Sequence, residues 1–199
     1  MTKKILQVLV IGDTHDSPDI PDKSRFGWFA KHIRKSKPDI VVQIGDFVTL
    51  DSCTHYIRDD SYTAKIEKPI FMKDMESMDS AMEEFNYHLK DFKIKKYLTL
   101  GNHEKRMFRK EDSNPTFYGM CQKEFFGNCK KYDWQVIPYG KYLMLGGVGF
   151  IHAPINPMGK EYGGEASERQ VANKSKIDIV FGHSHRAQDN RVAKISPIP

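Results

Sequence analysis

The chain has 199 residues, 39% hydrophobic and 29% charged, which is typical of a soluble globular protein, and we expect residues 1–199 to form one domain. A net charge of +5, from 31 basic and 26 acidic residues, permits a phosphate-bearing partner without requiring one. The three cysteines fit no zinc motif, and no segment is apolar enough to span a membrane, so we expect reduced thiols and a cytoplasmic protein.

Strand-like and helix-like segments alternate along the first half of the chain. The predicted elements are a strand at Ile5–Ile11, a helix capped by Ser24, a strand at Asp39–Ile44, a helix from Phe71 to Phe92 and a strand at Lys95–Leu100. In the longest helix, methionine and phenylalanine residues recur at steps of three and four. This stripe favours core packing against a sheet over a coiled-coil surface.

The second half is predicted to contain more turns. It comprises a helix from about His103, a looser helical stretch at Phe117–Phe125, strands at Trp134–Ile137, Tyr142–Leu145 and Val148–Ile151 around turns at Tyr139-Gly140 and Gly146-Gly147, a helix near Glu165–Asn173, and a strand at Ile177–Phe181. Strands that first alternate with helices and later form hairpins predict an α/β domain with a mixed sheet or two stacked sheets.

Five of the predicted strands end in the same way, with polar residues directly after the apolar run. Four end at a glycine, and the fifth runs directly into His152. Because ligands bind beyond the carboxyl ends of strands in α/β folds, we expect these polar side chains to meet at one place. They are Asp13, His15, Asp46, Asn102, His103, His152, His183 and His185.

These residue types indicate metal chemistry. Carboxylate, imidazole and amide groups without thiolate suit manganese, iron or zinc at a catalytic site. Even without His103 there are more such groups than one ion needs, and a carboxylate can bridge two ions about 3.5–4 Å apart, the usual arrangement for phosphoester hydrolysis. Each piece is weak alone, since Asp13-x-His15 could be a capped turn, but the joint pattern predicts two divalent transition-metal ions.

The ordered motifs "GDTH", "GDFV", "GNHE", "FIHA" and "GHSH" resemble those of the calcineurin-like metallophosphoesterase superfamily, from Ile5 to about Arg186. The resemblance implies two stacked mixed β-sheets flanked by helices, with a dinuclear site at the strand ends that hydrolyses phosphoesters by a metal-activated hydroxide. The short chain is similar to bacterial or phage members, and a phage protein would work in the host cytoplasm.

The resemblance also implies a role for each residue. One ion would be held by Asp13, His15, Asp46 and His185, and the other by Asp46, Asn102, His152 and His183, with manganese expected and iron or zinc as alternatives. Asp46 would bridge the ions, and His103 would be the acid near the leaving group. Asn102, His103 and Arg106 are expected to contact the substrate, although Arg106 could equally face solvent.

Two departures from the family pattern leave questions open. Thr49 and Leu50 stand where protein phosphatases of this superfamily have a carboxylate and an arginine, so phosphoprotein phosphatase activity is not expected. Asp51 or Glu104 could orient His103 instead, or Glu104 could serve the N-terminus of a helix. Only fourteen residues follow His185, so the chain is either a minimal member or truncated, lacking C-terminal strands, and an exposed strand edge there would favour a dimer.

Two functions from different classes fit these motifs: a phosphoester hydrolase, and a non-catalytic protein-binding scaffold on the same fold. Hydrolysis is favoured because every ligand position and His103 are filled. Phosphomonoesters and phosphodiesters both remain candidate substrates. Tyrosine and basic residues in the insert Leu50–Phe71 suit nucleotides or single-stranded nucleic acid as well as they suit an ordinary amphipathic loop.

Overall fold

Four parallel strands form the first sheet of the computed structural model, which describes residues 5–54, 70–162 and 167–185. They are β1 (Val8–Ile11), β2 (Ile40–Gln43), β3 (Lys95–Thr99) and β4 (Trp134–Ile137), in the spatial order β1-β2-β3-β4. A helical segment separates each strand from the next along the chain, as parallel pairing requires. All four residues of β2 are buried, which explains its continuous apolar run.

Three further strands form a second, mixed sheet. β5 (Leu143–Leu145) pairs antiparallel with β6 (Val148–Ile151), and β6 pairs parallel with β7 (Asp178–Phe181). Gly146-Gly147 closes the β5–β6 hairpin, whereas the turn at Tyr139-Gly140 carries the chain from the first sheet to the second.

Helices complete the architecture. They are α1 (Ser24–Ser36), α2 (Phe71–Leu89), α3 (Lys105–Ser113), α4 (Met120–Lys131) and α5 (Ser167–Lys174), with short 3₁₀ turns at Asp51–Cys53 and Pro115–Phe117. The predicted α/β fold with two sheets and flanking helices is confirmed. No described helix combines the length and apolarity that a membrane span needs.

Alternate residues of the central strands separate two apolar clusters. Ile40 and Val42 pack with Phe150 of β6 between the sheets, while Val41 and Leu98 face the helices. The Met/Phe stripe of α2 belongs to the apolar cluster between the first sheet and the helices, and Met78 and Met82 are fully buried there. The stripe is therefore core, as predicted.

Local details differ from the sequence-based predictions. Ser24 is the first residue of α1 rather than its cap, and the carboxylate of Asp22 accepts from both the Ser24 N–H (2.8 Å) and its hydroxyl (3.0 Å). The longest helix ends at Leu89 because Lys90 has a φ of 53°, outside the helical region, although Phe92 still packs on the core.

The predicted helical stretch at Phe117–Phe125 is shifted along the chain to α4. The carboxylate of Glu111 accepts from the N–H groups of Gly119 and Gln122, both at 2.9 Å, and so satisfies donors at the start of α4. Most of the insert Leu50–Phe71 lies outside the described residues, as does the stretch after His185 on which the expectation about C-terminal strands depends.

Candidate metal centre

The carboxyl ends of five strands deliver the predicted polar residues to one edge of the two sheets. Asp13 and His15 follow β1, Asp46 follows β2, Asn102 and His103 follow β3, His152 follows β6, and His183 and His185 follow β7. Main-chain hydrogen bonds join these loops: the His15 N–H donates to the Asp46 carbonyl at 2.9 Å, and the Gly182 N–H donates to the His152 carbonyl at 3.0 Å.

The backbone is strained at the residues that matter most. His15, Asp46, His183 and His185 have φ values of 45°, 49°, 69° and 53°, in the left-handed region that non-glycine residues rarely adopt. Such strain costs about 1–3 kcal/mol per residue and typically persists where function requires it. Four such residues in one cluster make this edge of the sheets a candidate functional site.

The first group of side chains comprises Asp13, His15 and His185, whose ligand atoms lie within 4.8 Å of one another. The Nε2 atoms of His15 and His185 are 3.2 Å apart, and the His185 Nε2 is 3.4 Å from the Asp13 Oδ2. Burial lowers the pKa of His15, which favours the neutral imidazole that a metal ion binds.

The second group comprises Asp46, His152 and His183, also within 4.8 Å, with Asn102 among them. The Asn102 Oδ1 is 2.8 Å from the His152 Nε2 and 2.9 Å from the His183 Nδ1. The Asp46 Oδ2 is 3.2 Å from the His152 Nε2. The amide that sequence reasoning placed here is therefore in the middle of the group.

Asp46 lies between the two groups and is only 2% exposed. Its Oδ2 is 3.8 Å from the His15 Nε2 in one direction and 3.2 Å from the His152 Nε2 in the other. Burial alone would raise the pKa of this carboxyl, but the His152 ring and the His103 N–H, which donates to Oδ1 at 2.9 Å, lower it on balance. Asp46 is therefore an anion placed to be shared.

The nitrogen and oxygen atoms of these side chains are arranged better for binding a metal ion than for hydrogen bonds with one another. The His152 Nδ1 is 3.0 Å from the Ile44 carbonyl, and donating a proton there leaves a lone pair on Nε2 that faces the oxygens of Asn102 and Asp46. The buried Asp13 Oδ1 has no hydrogen-bond partner among the described residues. Burial alone would lower the pKa of His152, but the Asp46 carboxylate outweighs this and raises it, so the Asp46 charge favours a positive charge at Nε2, which is a proton in the free ring and a metal ion where one replaces that proton.

A model of the family described as calcineurin-like phosphoesterase matches residues 6–187, nearly the whole chain. The protein belongs to this family. Searches of curated proteins and of solved structures each found no match to the chain. The family relationship agrees with the two-sheet fold and with the groups of histidine and aspartate that could hold metal ions.

In this phosphoesterase-family chain, a main-chain oxygen orients His103. The His103 Nδ1–H donates to the Thr49 carbonyl at 2.8 Å, in place of the carboxylate that is missing at this position. Arg106 also donates to the Thr49 carbonyl (2.9 Å), and to Asp51 (3.3 Å) and the His103 Nε2 (3.2 Å). Asp51 is therefore bonded to Arg106 and reaches the His103 ring through its charge alone, and Arg106 faces the site rather than solvent.

Glu104 has a role that the sequence left open. Its fully buried carboxylate accepts from the N–H groups of Asp46 (3.0 Å), Val48 (3.2 Å) and Gly101 (2.7 Å). Burial, and then the Asp46 charge, raise the pKa of Glu104 to about 7, although the three donors favour the carboxylate. Glu104 thus joins the loops that follow β2 and β3, and it does not orient the His103 ring.

Glu104→Gln is expected to lower the free energy of unfolding by about 1–3 kcal/mol. One oxygen of the new amide can still accept from Asp46 and Gly101, but its NH₂ group then faces the Val48 N–H, and two donors oppose each other in the interior. Denaturant unfolding measures the change, with Glu83→Gln on the exposed face of α2 as the control. A variant as stable as wild type would show that Glu104 does not hold these loops.

Three of the four strand-end glycines, Gly45, Gly101 and Gly182, leave room for ligand side chains. A Cβ atom on Gly101 would lie 2.5 Å from the main-chain nitrogen of Asp46 and still closer to the Asp46 Oδ1. A Cβ atom on Gly45, whose φ is 97°, would lie 2.6 Å from the His152 ring. Glycine permits a sharp turn at a strand end, and the close approach of these side chains is a second reason for it here.

Gly101→Ala is expected to destabilise the protein by about 1–3 kcal/mol and to weaken metal binding, because the methyl group displaces Asp46. Gly127→Ala in α4 is the matched control, since its Cβ would meet nothing within 4 Å and alanine is the better helix former. Thermal unfolding with and without Mn²⁺ measures both effects. Equal behaviour of the two variants would contradict the tight packing at Gly101.

Sequence analysis did not predict two of the contacts at this site. Asp16 is 1% exposed and accepts from Lys23 (2.9 Å) and Arg25 (2.6 Å), which ties the His15 loop to α1. Glu161 approaches His183 with its Oε2 at 3.6 Å from Nε2. The only available signal for Asp16 was its position next to His15, and nothing in the sequence around Glu161 distinguished it from other loop carboxylates.

Proposed function

We propose that this protein is a dinuclear metal-dependent phosphoesterase. The observation that carries the proposal is that the buried Asp46 carboxylate lies beside both ligand groups, with its Oδ2 3.8 Å from the His15 Nε2 of the first and 3.2 Å from the His152 Nε2 of the second. The proposed ligands are Asp13, His15, Asp46 and His185 for one ion, and Asp46, Asn102, His152 and His183 for the other. When bound, the ions would polarise the phosphoryl oxygens and activate a water molecule for attack.

The chain's own residues would carry the remaining tasks. His103 is placed to give a proton to the leaving oxygen from Nε2, because its Nδ1 is occupied by the Thr49 carbonyl. Arg106, whose guanidinium lies 3.2 Å from that Nε2, would bind the phosphate of the substrate. Asn102 would contact the substrate as well as bind metal.

Manganese is the proposed metal, with iron or zinc as alternatives. The donors are nitrogen and oxygen atoms, which these three ions accept, and the free cysteines Cys53, Cys121 and Cys129 are outside the ligand groups. The proposed substrate is a phosphomonoester or a phosphodiester, and the net charge of +5 is compatible with nucleotides or nucleic acid. The insert residues 55–69 that would inform this choice are outside the described part of the chain.

The test is a parallel screen of the purified protein against p-nitrophenyl phosphate, bis(p-nitrophenyl) phosphate and single-stranded DNA, each with Mn²⁺, Fe²⁺, Zn²⁺ or Mg²⁺. We expect hydrolysis of at least one ester with a transition metal, and two ions per chain by metal analysis. Two bound ions without hydrolysis of any ester would favour the binding scaffold instead. One ion or none would contradict the dinuclear site.

A further inference from the structure

The two ring nitrogens of His183 face different partners. Its Nδ1 points into the candidate metal centre, 2.9 Å from the Asn102 Oδ1. Its Nε2 points the other way, towards the Glu161 carboxylate, with 3.6 Å between Nε2 and Oε2. An imidazole that binds a metal through one nitrogen carries its proton on the other, and that proton then faces Glu161.

Glu161 is itself held in place. The Tyr139 hydroxyl donates to its other oxygen, Oε1, and burial raises the pKa of Tyr139, so that the phenol keeps its proton and remains a donor. A bridge between Ile155 and Glu161 fixes the backbone of the loop that follows His152, and the Lys105 ammonium packs 4.2 Å from the centre of the Tyr139 ring. These contacts aim the carboxylate at His183.

We propose that Glu161, aimed by Tyr139, is a positioning residue that fixes the orientation and tautomer of His183 for metal binding. The inference rests on the proposed function, in which His183 is a ligand. A carboxylate that faces the N–H of a metal-bound imidazole holds the ring and makes the ligating nitrogen more basic. At 3.6 Å the contact is longer than a hydrogen bond, and metal binding at Nδ1 strengthens it because it makes the Nε2–H a better donor.

We expect the loss of metal affinity to be largest in Glu161→Ala and smaller in Glu161→Gln and Tyr139→Phe. Glu161→Ala should weaken the metal site that includes His183 about 10–100-fold, the range seen when such carboxylates are removed. Glu161→Gln should lose less, because its amide oxygen can still accept from the Nε2–H without the negative charge. Tyr139→Phe should fall between wild type and Glu161→Ala, because the carboxylate remains but loses the donor that aims it.

Equilibrium binding of Mn²⁺ to the metal-free full-length protein tests the inference without any activity assay. The series comprises wild type, Glu161→Ala, Glu161→Gln, Tyr139→Phe, His183→Ala and the surface control Glu83→Gln. Circular dichroism and thermal unfolding establish that each variant is folded, and Tyr139→Phe provides a test should Glu161→Ala fail to fold. We expect the ranking above, with the Glu83→Gln affinities unchanged.

Different results would overturn the role of Glu161 and the assignment of His183 as a metal ligand. Should His183→Ala lose a site while Glu161→Ala and Tyr139→Phe bind both ions as wild type does, the role of Glu161 is overturned and the ligand assignment stands. Should His183→Ala itself bind both ions with unchanged affinity, the assignment of His183 in the proposed function is wrong, and the inference falls with it.

Discussion

Asp46→Asn is expected to lower kcat/KM for any phosphoester that the wild type hydrolyses by at least about 10³-fold, and to lower the number of bound ions. A metal site supplies several kcal/mol of transition-state stabilisation, and each 1.36 kcal/mol is tenfold in rate. Asp46 is the one carboxylate with ligand atoms in two of the candidate groups of the described residues. Its replacement therefore weakens both ions together, which no other single ligand change would do.

The variant should remain folded, which makes the loss interpretable. The Asp46 Oδ1 accepts the His103 N–H at 2.9 Å, and the oxygen of an asparagine can keep this bond. Its NH₂ group then takes the place of the Oδ2 that faces the His15 and His152 rings, and an amide NH₂ binds no cation.

Metal analysis and steady-state kinetics measure the loss, with Asp79→Asn as the control. Asp79 pairs with Lys131 at 2.7 Å on the helical side of the protein, and its change should leave both quantities as in wild type. Full activity and two ions in Asp46→Asn would show that the carboxylate is not shared between the ions.

Strand β2 could be predicted from sequence because both of its faces are covered. Ile40, Val41 and Val42 are all buried, between the helices on one side and the second sheet on the other, so β2 appears in the sequence as an unbroken apolar run. The extent of α2 was less predictable. Its apolar period continues to Phe92, but the left-handed Lys90 ends the helix earlier, and a lysine gives no sign of that conformation.

Some features of the site could likewise be predicted from the sequence, and others could not. Side chains such as His152 and His183 could be named because the residue type itself indicates the chemistry and each follows a strand. The acceptor for the His103 ring could not, because it is the main-chain carbonyl of Thr49, a group that every residue carries. Glu104 was visible in the motif, but two of its three partners, Asp46 and Val48, lie more than fifty residues earlier, and only the fold brings them to it.

His103→Asn is expected to lower kcat by about 10²–10⁴-fold, the usual contribution of a positioned acid, while both ions stay bound. Asn102 and His103 are neighbours with different surroundings: the Asn102 Oδ1 lies among the ligand nitrogens, while the His103 ring is turned towards Thr49 and Arg106. Asn102→Ala is the matched comparison. It should lower metal occupancy, and added Mn²⁺ should partly restore its rate.

The decisive measurement is the dependence of kcat on the pKa of the leaving group, for wild type and for His103→Asn. An acid helps poor leaving groups most, so the deficit of the variant should shrink as the leaving group improves. Equal dependence in the two proteins would show that His103 is not the acid. A lost ion in His103→Asn would instead make His103 a ligand, which its place within 4.8 Å of His15 and Asp46 makes a concrete alternative.

Arg106 provides a further test, because its guanidinium is hydrogen-bonded to the His103 Nε2, the atom from which the acid must donate its proton. In the structure its guanidinium donates to the His103 Nε2 at 3.2 Å, so this nitrogen carries no proton in that arrangement. For His103 to act as the acid, Arg106 has to turn towards the phosphate, which frees Nε2 to be protonated and to face the leaving oxygen. Arg106→Gln should therefore raise KM for every ester, and it should retain the wild-type dependence on leaving-group pKa that His103→Asn loses.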